Sequence, residues 1–269
     1  MDTVFRDYDQ AELDRQYEQR TFVPHADEII QRYAARSDEV RARIGEPQTL
    51  AYGPTAAEAL DVYGGRRDKV VAFVHGGAWK RMGKRANAYA AETFIDAGAT
   101  YVAIGFGLLP TITLPEMAGQ VVRALEFLQR ELKPSRLALI GHSSGAHLSA
   151  NALTRVHSVH QALLCSGVYD LLPVRLSARN EYVRLDERLE QEYSPIRHVE
   201  RIRCPVTVAW GEHEGAEFTR QSREFADALK RSGRLREAIK GRNLNHFEII
   251  ETLSDPRSPL ARAALNMLQ

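Results

Sequence analysis

The 269-residue sequence predicts an α/β fold, a mostly parallel sheet with helices on both faces. Short, continuous apolar runs recur from residue 69 onward, as expected of strands covered on both sides. Amphipathic stretches of helical length separate those runs, the alternation that builds parallel sheets. Hydrophobic residues make up 44% and charged residues 26%, enough apolar material for a large packed core.

The elements follow in order. Residues 1–45 are highly charged, and Ile29, Ile30, Tyr33, Ala34 and Val40 recur at mostly helical spacing within 27–44, which predicts an N-terminal helical arm. Strand-like stretches at 50–52 and 59–63 predict a leading antiparallel hairpin, with Gly53-Pro54 between them and Gly64-Gly65 closing the second. The alternation then begins with strand Val70-Val71-Ala72-Phe73-Val74, a helix over 85–97, strand Tyr101-Val102-Ala103-Ile104 and a helix over 115–132. Strand Leu137-Ala138-Leu139-Ile140, a helix after Ser144 and strand Ala162-Leu163-Leu164-Cys165 come next. A more polar insertion, 170–203, reads as a small helical lid before Pro205-Val206-Thr207-Val208-Ala209-Trp210 resumes the sheet. A helix over 216–232, a short strand at 237–240 and helices after His246 and Pro259 complete a single expected domain, 1–269, without repeats.

Composition removes several function classes. Lys plus Arg number 36 against 35 Asp plus Glu, and a net charge of +1 offers no field to hold a nucleic acid. No basic segment followed by an apolar one opens the chain, and no run of about 18 apolar residues occurs. No membrane association is expected, and a cytoplasmic location is. Cys165 and Cys204, each assigned to an apolar strand-like stretch, read as small core residues, which leaves no disulfide framework or Cys-rich metal site. The expected partner is a small-molecule substrate, with a homodimer left open.

The chemistry centres on Gly141-His142-Ser143-Ser144-Gly145, a G-x-S-x-G pattern between an apolar strand and a helix. A sharp strand-to-helix turn needs small residues at Gly141 and Gly145 and lifts the Ser143 hydroxyl above the sheet edge. The plainer alternative is a βα turn with a helix-capping serine. Upstream, His75-Gly76-Gly77-Ala78-Trp79 directly follows a strand, where a loop can turn backbone N–H groups toward a substrate carbonyl. The two motifs together resemble the nucleophile turn and HGG loop of α/β-hydrolases of the lipase and esterase type.

That resemblance implies Ser143 as nucleophile and an oxyanion hole from the N–H groups of Gly76, Gly77 and Ser144. It implies a base late in the chain, where His246 lies in a polar loop after the last strand; His75, His142, His147, His157, His160 and His198 all come earlier. The acid should precede that base, and Gly211-Glu212-His213-Glu214 offers two. The hydrolase spacing of Gly, two residues, then Asp selects Glu214 over Glu212, with Glu in place of the usual Asp.

A narrower resemblance is to the arylformamidase (kynurenine formamidase) branch. It rests on those motifs, on Gly167-Val168-Tyr169-Asp170-Leu171, and on Glu217-Phe218 with Arg220-Gln221-Ser222, which general esterases usually lack. Leu13-Asp14-Arg15-Gln16-Tyr17 and Arg20 are similar to the same branch. This chain departs from it at Glu214, often Asp, and at Gly215-Ala216, often Ser-Pro. Gly105-Phe106-Gly107-Leu108-Leu109-Pro110 likewise replaces a Tyr-Arg-Leu-x-Pro pattern of related esterases.

The activity implied is hydrolysis of an N-formyl arylamine by acyl transfer to Ser143 and then to water, without metal or organic cofactor. Trp79, Phe106 and Tyr169 are candidates for the aromatic leaving group, and Lys80, Arg81, Lys84 and Arg85 for attracting a carboxylate-bearing substrate. The alternatives are a small-molecule carboxylesterase and a non-catalytic ligand receptor on a hydrolase fold; Ser143, Glu214 and His246 together argue against the receptor.

Overall fold

The computed structural model describes residues 3–65 and 67–269; positions 1 and 2 of the expected arm, and position 66, lie outside the described residues. Eight strands form one sheet in the order β1-β2-β4-β3-β5-β6-β7-β8. They are β1 Gln48–Ala51, β2 Ala59–Tyr63, β3 Lys69–Val74, β4 Thr100–Ile104, β5 Arg136–His142, β6 Gln161–Cys165, β7 Val206–Gly211 and β8 Leu235–Gly241. β2 is antiparallel to β1 and β4, and every other pair is parallel. The leading hairpin and the parallel sheet are therefore both present.

Alternate side chains of each strand enter opposite cores, the consequence of the two-residue pleat. Val70, Ala72 and Val74 of β3 join Leu137 and Leu139 of β5 on one face, while Val71 and Phe73 join Ala138 and Ile140 on the other. Burying one such large aliphatic side chain contributes roughly 1.5–3 kcal/mol, which is why both faces must be covered. The first face carries α4 Leu114–Leu132, α5 Ser144–Leu153 and α9 Ala216–Arg231. In α4, Leu114, Met117, Ala118, Val121, Leu125 and Leu128 form the buried stripe, and Thr113 with Glu116 closes a capping box at its start.

The opposite face is covered by α2 Ala26–Ile44, α3 Ala91–Asp96, α10 Glu248–Glu251 and α11 Pro259–Asn266. α2 follows α1 Gln10–Tyr17, so the arm contains two helices. The expected lid, 170–203, contains α6 Leu172–Leu176, α7 Asn180–Val183, α8 Glu187–Tyr193 and a 3₁₀ segment, Pro195–Arg201. No helix among the described residues is long and apolar enough to cross a membrane.

Two expectations are corrected. The helix over 85–97 is instead a 3₁₀ segment, Lys84–Ala90, followed by α3, with the break at Asn87. The Asn87 side-chain amide donates to the Gly83 carbonyl at 2.8 Å, and the Asn87 backbone carbonyl accepts from Tyr101 Oη at 2.7 Å. Those bonds displace the helical ones. Cys204 lies in the loop before β7 rather than in the strand, although both thiols are buried and free.

Glu251 fastens α2 to the end of the chain, accepting from Arg32 Nε and Nη2 at 2.7 and 2.6 Å and pairing with Arg36 at 2.9 Å. Both arginines are partly solvated, which moderates the gain. Glu251→Gln is expected to lower unfolding free energy by about 1–2 kcal/mol, measured by urea denaturation.

Candidate active site

Ser143 stands at the turn between β5 and α5 with φ 55° and ψ −123°, a conformation that side-chain-bearing residues rarely adopt. Two close approaches hold it there. A Cβ on Gly145 would lie 2.2 Å from the Val74 carbonyl oxygen, and one on Gly141 would lie 2.7 Å from that of Gly145. The Ser143 N–H donates to the Cys165 carbonyl at 2.9 Å, tying the turn to the end of β6. This is the sharp turn that the G-x-S-x-G pattern predicted.

His246 Nε2 lies 3.0 Å from Ser143 Oγ. Its loop is held from three sides. Asn245 Oδ1 accepts from the N–H groups of Phe247 and Glu248 at 2.9 and 3.0 Å. His142 Nε2–H donates to the His246 carbonyl at 2.9 Å, and Tyr33 Oη donates to the Phe247 carbonyl.

Glu214 Oε2 faces His246 Nδ1 at 3.5 Å, and both atoms are buried with no other partner among the described residues. Glu214 Oε1 accepts from Ser166 Oγ at 2.5 Å and from the Gly211 N–H at 2.7 Å, which directs the second oxygen toward the imidazole. The gap exceeds a normal hydrogen bond and can close as an imidazolium forms. Glu212 is directed elsewhere: it is half-buried, pairs with Lys240 at 2.7 Å and accepts from the Asn243 N–H at 2.9 Å. Those bonds, the Lys240 one first, hold its carboxyl down at about 2.

The loop after β3 is braced by neutral histidines. Burial lowers His75 from its ordinary value of 6.5 to about 4, and its Nδ1–H donates to the Gly76 carbonyl at 2.7 Å. Burial likewise lowers His147 to about 4. Its Nδ1 accepts from Trp79 Nε1 at 3.2 Å and its Nε2–H donates to the Tyr193 carbonyl at 2.9 Å, joining the loop, α5 and the end of α8. Burial, then the neighbouring His246, lowers His142 to about 3.

A cavity of about 710 Å³ opens over Ser143 and His246. Gly77 and Ala78 line it, at φ 116° and 53°, whereas Gly76 is packed behind Ser143 and His142. Ser144 Oγ accepts from the Trp79 N–H at 3.1 Å, holding the glycine loop against the start of α5.

Trp79, Phe106 and Tyr169, expected to meet substrate, do not line this cavity. Trp79 is buried on His147, Phe106 stacks on His75 at 4.4 Å, and Tyr169 stacks on Phe225 at 4.0 Å. The aromatic wall comes from Tyr17 and Tyr33 of the arm, Tyr182 of the lid and Phe247. Of the four basic residues after the glycine loop, Lys80 and Arg81 line the cavity, while Lys84 pairs with Asp61 and Arg85 with Glu46. Arg179 joins the wall from the lid. Sequence reasoning missed Ala78, Ser166 and the arm tyrosines as contributors. Ala78, the neighbour of two singled-out glycines, carried a local signal, as did Tyr17, which closes the Leu13-Asp14-Arg15-Gln16-Tyr17 stretch.

The sheet order, the serine turn and the glycine loop define an α/β-hydrolase, and the comparisons agree. A family profile described as BD-FAE matches residues 60–163. Kynurenine formamidase of Danio rerio is 32% identical, covering 96% of both chains, and that of Salmo salar is 31% identical, covering 98% of both. A crystal structure from Silicibacter sp. TM1040, assigned as a thioesterase, superposes with a TM-score of 0.87 at 25% identity, covering 95% of this chain and 99% of the other. The chain belongs to the kynurenine formamidase family. It is an arylformamidase-like serine hydrolase.

The buried His75, His142 and His147 make stability pH-dependent with a definite sign. Each takes up a proton near 6.5 when unfolded but only near 3–4 when folded, so unfolding binds protons between those limits. Their stabilisation is complete above about 6.5 and declines as pH falls toward 4. The urea midpoint is expected to drop steadily from pH 7 to pH 4.5, followed by circular dichroism.

Proposed function

We propose that the protein hydrolyses N-formyl arylamines, with Ser143 as nucleophile, His246 as general base and Glu214 as the acid that orients it. The observation that carries this reading is the 3.0 Å contact between His246 Nε2 and Ser143 Oγ at the base of an aromatic-walled cavity.

His246 removes the Ser143 proton as Oγ attacks the formyl carbonyl. The tetrahedral oxyanion is received by the N–H groups of Gly77 and Ser144, with Ala78 in place of the expected Gly76; one such donor is worth about 3 kcal/mol in the transition state. The protonated imidazole, stabilised by Glu214, gives its proton to the leaving amine. Water then repeats the sequence on the formyl ester, releasing formate and free Ser143. The acyl group is a single carbon, so recognition falls on the amine, placed against Tyr17, Tyr33, Tyr182 and Phe247. Lys80, Arg81 and Arg179 in the same wall suit a carboxylate on that amine.

Ester hydrolysis is the second reading, favoured by the same serine–histidine geometry, which serves an ester through identical steps. A cytoplasmic location accords with two free, buried thiols, and a small-molecule substrate rather than nucleic acid accords with a net charge of +1.

Ser143→Ala is expected to lower kcat on N-formyl arylamines by at least about 10³-fold. Glu214→Ala should lower it by about 10²-fold or more, and Glu212→Ala should stay within about twofold of wild type. Steady-state assays of the purified variants decide this, and full activity in Ser143→Ala overturns both readings. A higher kcat/KM on short acyl esters than on formyl arylamines selects the second.

A further inference from the structure

Two stretches that carry the family resemblance are not explained by the acyl-transfer steps. Gln16 and Tyr17 lie on the arm, and Glu217, Phe218 and Gln221 lie on α9, about two hundred residues later. In the fold they meet. Gln16 Oε1 accepts from the Glu217 N–H at 3.0 Å, and Gln19 Oε1 accepts from the Gly215 N–H at 3.2 Å. Both amides are oriented by their other end: Gln16 Nε2 donates to Glu12 at 2.6 Å, and Gln19 Nε2 to the Gln16 carbonyl at 3.0 Å. Tyr17 Oη donates to Glu217 Oε1 at 3.2 Å and accepts from Gln221 Nε2 at 3.2 Å.

These bonds fall on a helix start that lacks its own cap. The first N–H groups of a helix have no intrahelical acceptor, and a Ser, Thr, Asp or Asn side chain usually supplies one. α9 has Gly215 at that position, with no capping side chain. A Cβ there would lie 2.8 Å from Phe22 Cε2, 3.0 Å from Gln16 Oε1 and 3.0 Å from Gln19 Nε2, so the arm occupies the space a capping residue would need. Glu214 immediately precedes this start. Its Oε1 is fixed, but the approach of Oε2 to His246 depends on where the backbone at 214–217 stands. The aromatic contacts run the same way: Tyr17 meets Phe218 edge-on at 5.9 Å, and Phe218 meets His246 edge-on at 4.8 Å.

We propose that Gln16 and Gln19 are positioning residues for the Glu214–His246 pair: they cap α9 from the arm and thereby set the acid loop against the base. This rests on the reading of Glu214 as the orienting acid. The arm is then part of the catalytic framework as well as a wall of the cavity.

The test combines Gln16→Ala, the Gln16→Ala/Gln19→Ala pair, and Gly215→Ser in the paired background, where Ser supplies a local cap, the shortened side chains clear two of the three close contacts and the edge of the Phe22 ring has to shift. Each full-length protein is assayed for kcat and KM. Each is also titrated with a fluorophosphonate for the number of reactive serines and the labelling rate constant. Gln16 does not line the cavity, so Gln16→Ala should lower kcat and the labelling rate while leaving KM and one reactive serine per chain intact. The pair should lose roughly 5- to 50-fold in kcat and labelling rate, the scale of a small misplacement of a catalytic group; Gln19 itself lines the cavity, so a change in KM alone in the pair would overturn the positioning role. Gly215→Ser should recover about half of the lost rate or more, since Ser is a preferred cap.

A lower count of reactive serines at unchanged labelling rate would mean the glutamines only support folding, and would overturn the proposal. Wild-type rates in the pair would overturn it too. If Glu214→Ala is itself fully active, the reading of the acid fails; if that variant is inactive while the pair is wild type, only the positioning role fails.

Discussion

The hydrogen bond from the Ser143 N–H to the Cys165 carbonyl is the first step of a staircase on which the site is built. At the end of β6 the Ser166 N–H donates to the Ala209 carbonyl of β7 at 2.7 Å. Beyond β7, the N–H groups of Glu212 and His213 donate to the carbonyls of Gly241 and Leu244 at 2.9 and 3.0 Å. Parallel register places successive strand ends side by side, and these bonds carry that register past the sheet into the loops. Ser143, Glu214 and His246 thus stand on loops whose bases are spaced by strand geometry.

Glu214 shows how that framework accommodates a longer acid. One extra methylene relative to aspartate would drive a freely placed carboxylate toward or past the imidazole. Ser166, itself at φ 55°, and the Gly211 N–H take one oxygen and leave the other 3.5 Å from His246. Burial makes this arrangement consequential, because a charge in a low-dielectric site acts strongly on its neighbours. The buried His75, His142 and His147 add no competing charge near neutrality, since desolvation holds each of them neutral there.

Much of this was legible in the sequence, for local reasons. Strands buried on both faces write themselves as apolar runs, and the turn at Ser143 needs glycines at fixed offsets. What was not legible depended on distant partners. Tyr101 and Gly83 break the helix expected over 85–97, and nothing near Asn87 announces it. Lys240 claims Glu212 and leaves Glu214 facing the imidazole, a choice that only the folded loops reveal. Trp79, Phe106 and Tyr169 sit beside motifs in sequence yet point into the core, while the cavity wall is drawn from Tyr17, Tyr33 and Tyr182. Proximity to a motif along the chain was a poor guide to proximity in space.

The arm also joins parts of the polypeptide that lie far apart along the chain. Gln16 meets Glu217 across 201 residues of sequence, and Tyr33 meets Phe247 across 214. During synthesis the first helices are made long before the surfaces that receive them, so their apolar faces wait uncovered while the intervening sheet forms. The cavity is complete only when the loop carrying His246 and Phe247 exists. A lesion in α1 or α2 and one in the loop after β8 therefore act on the same cavity from opposite sides, since its walls are drawn from residues as far apart as Asp14 and Phe247.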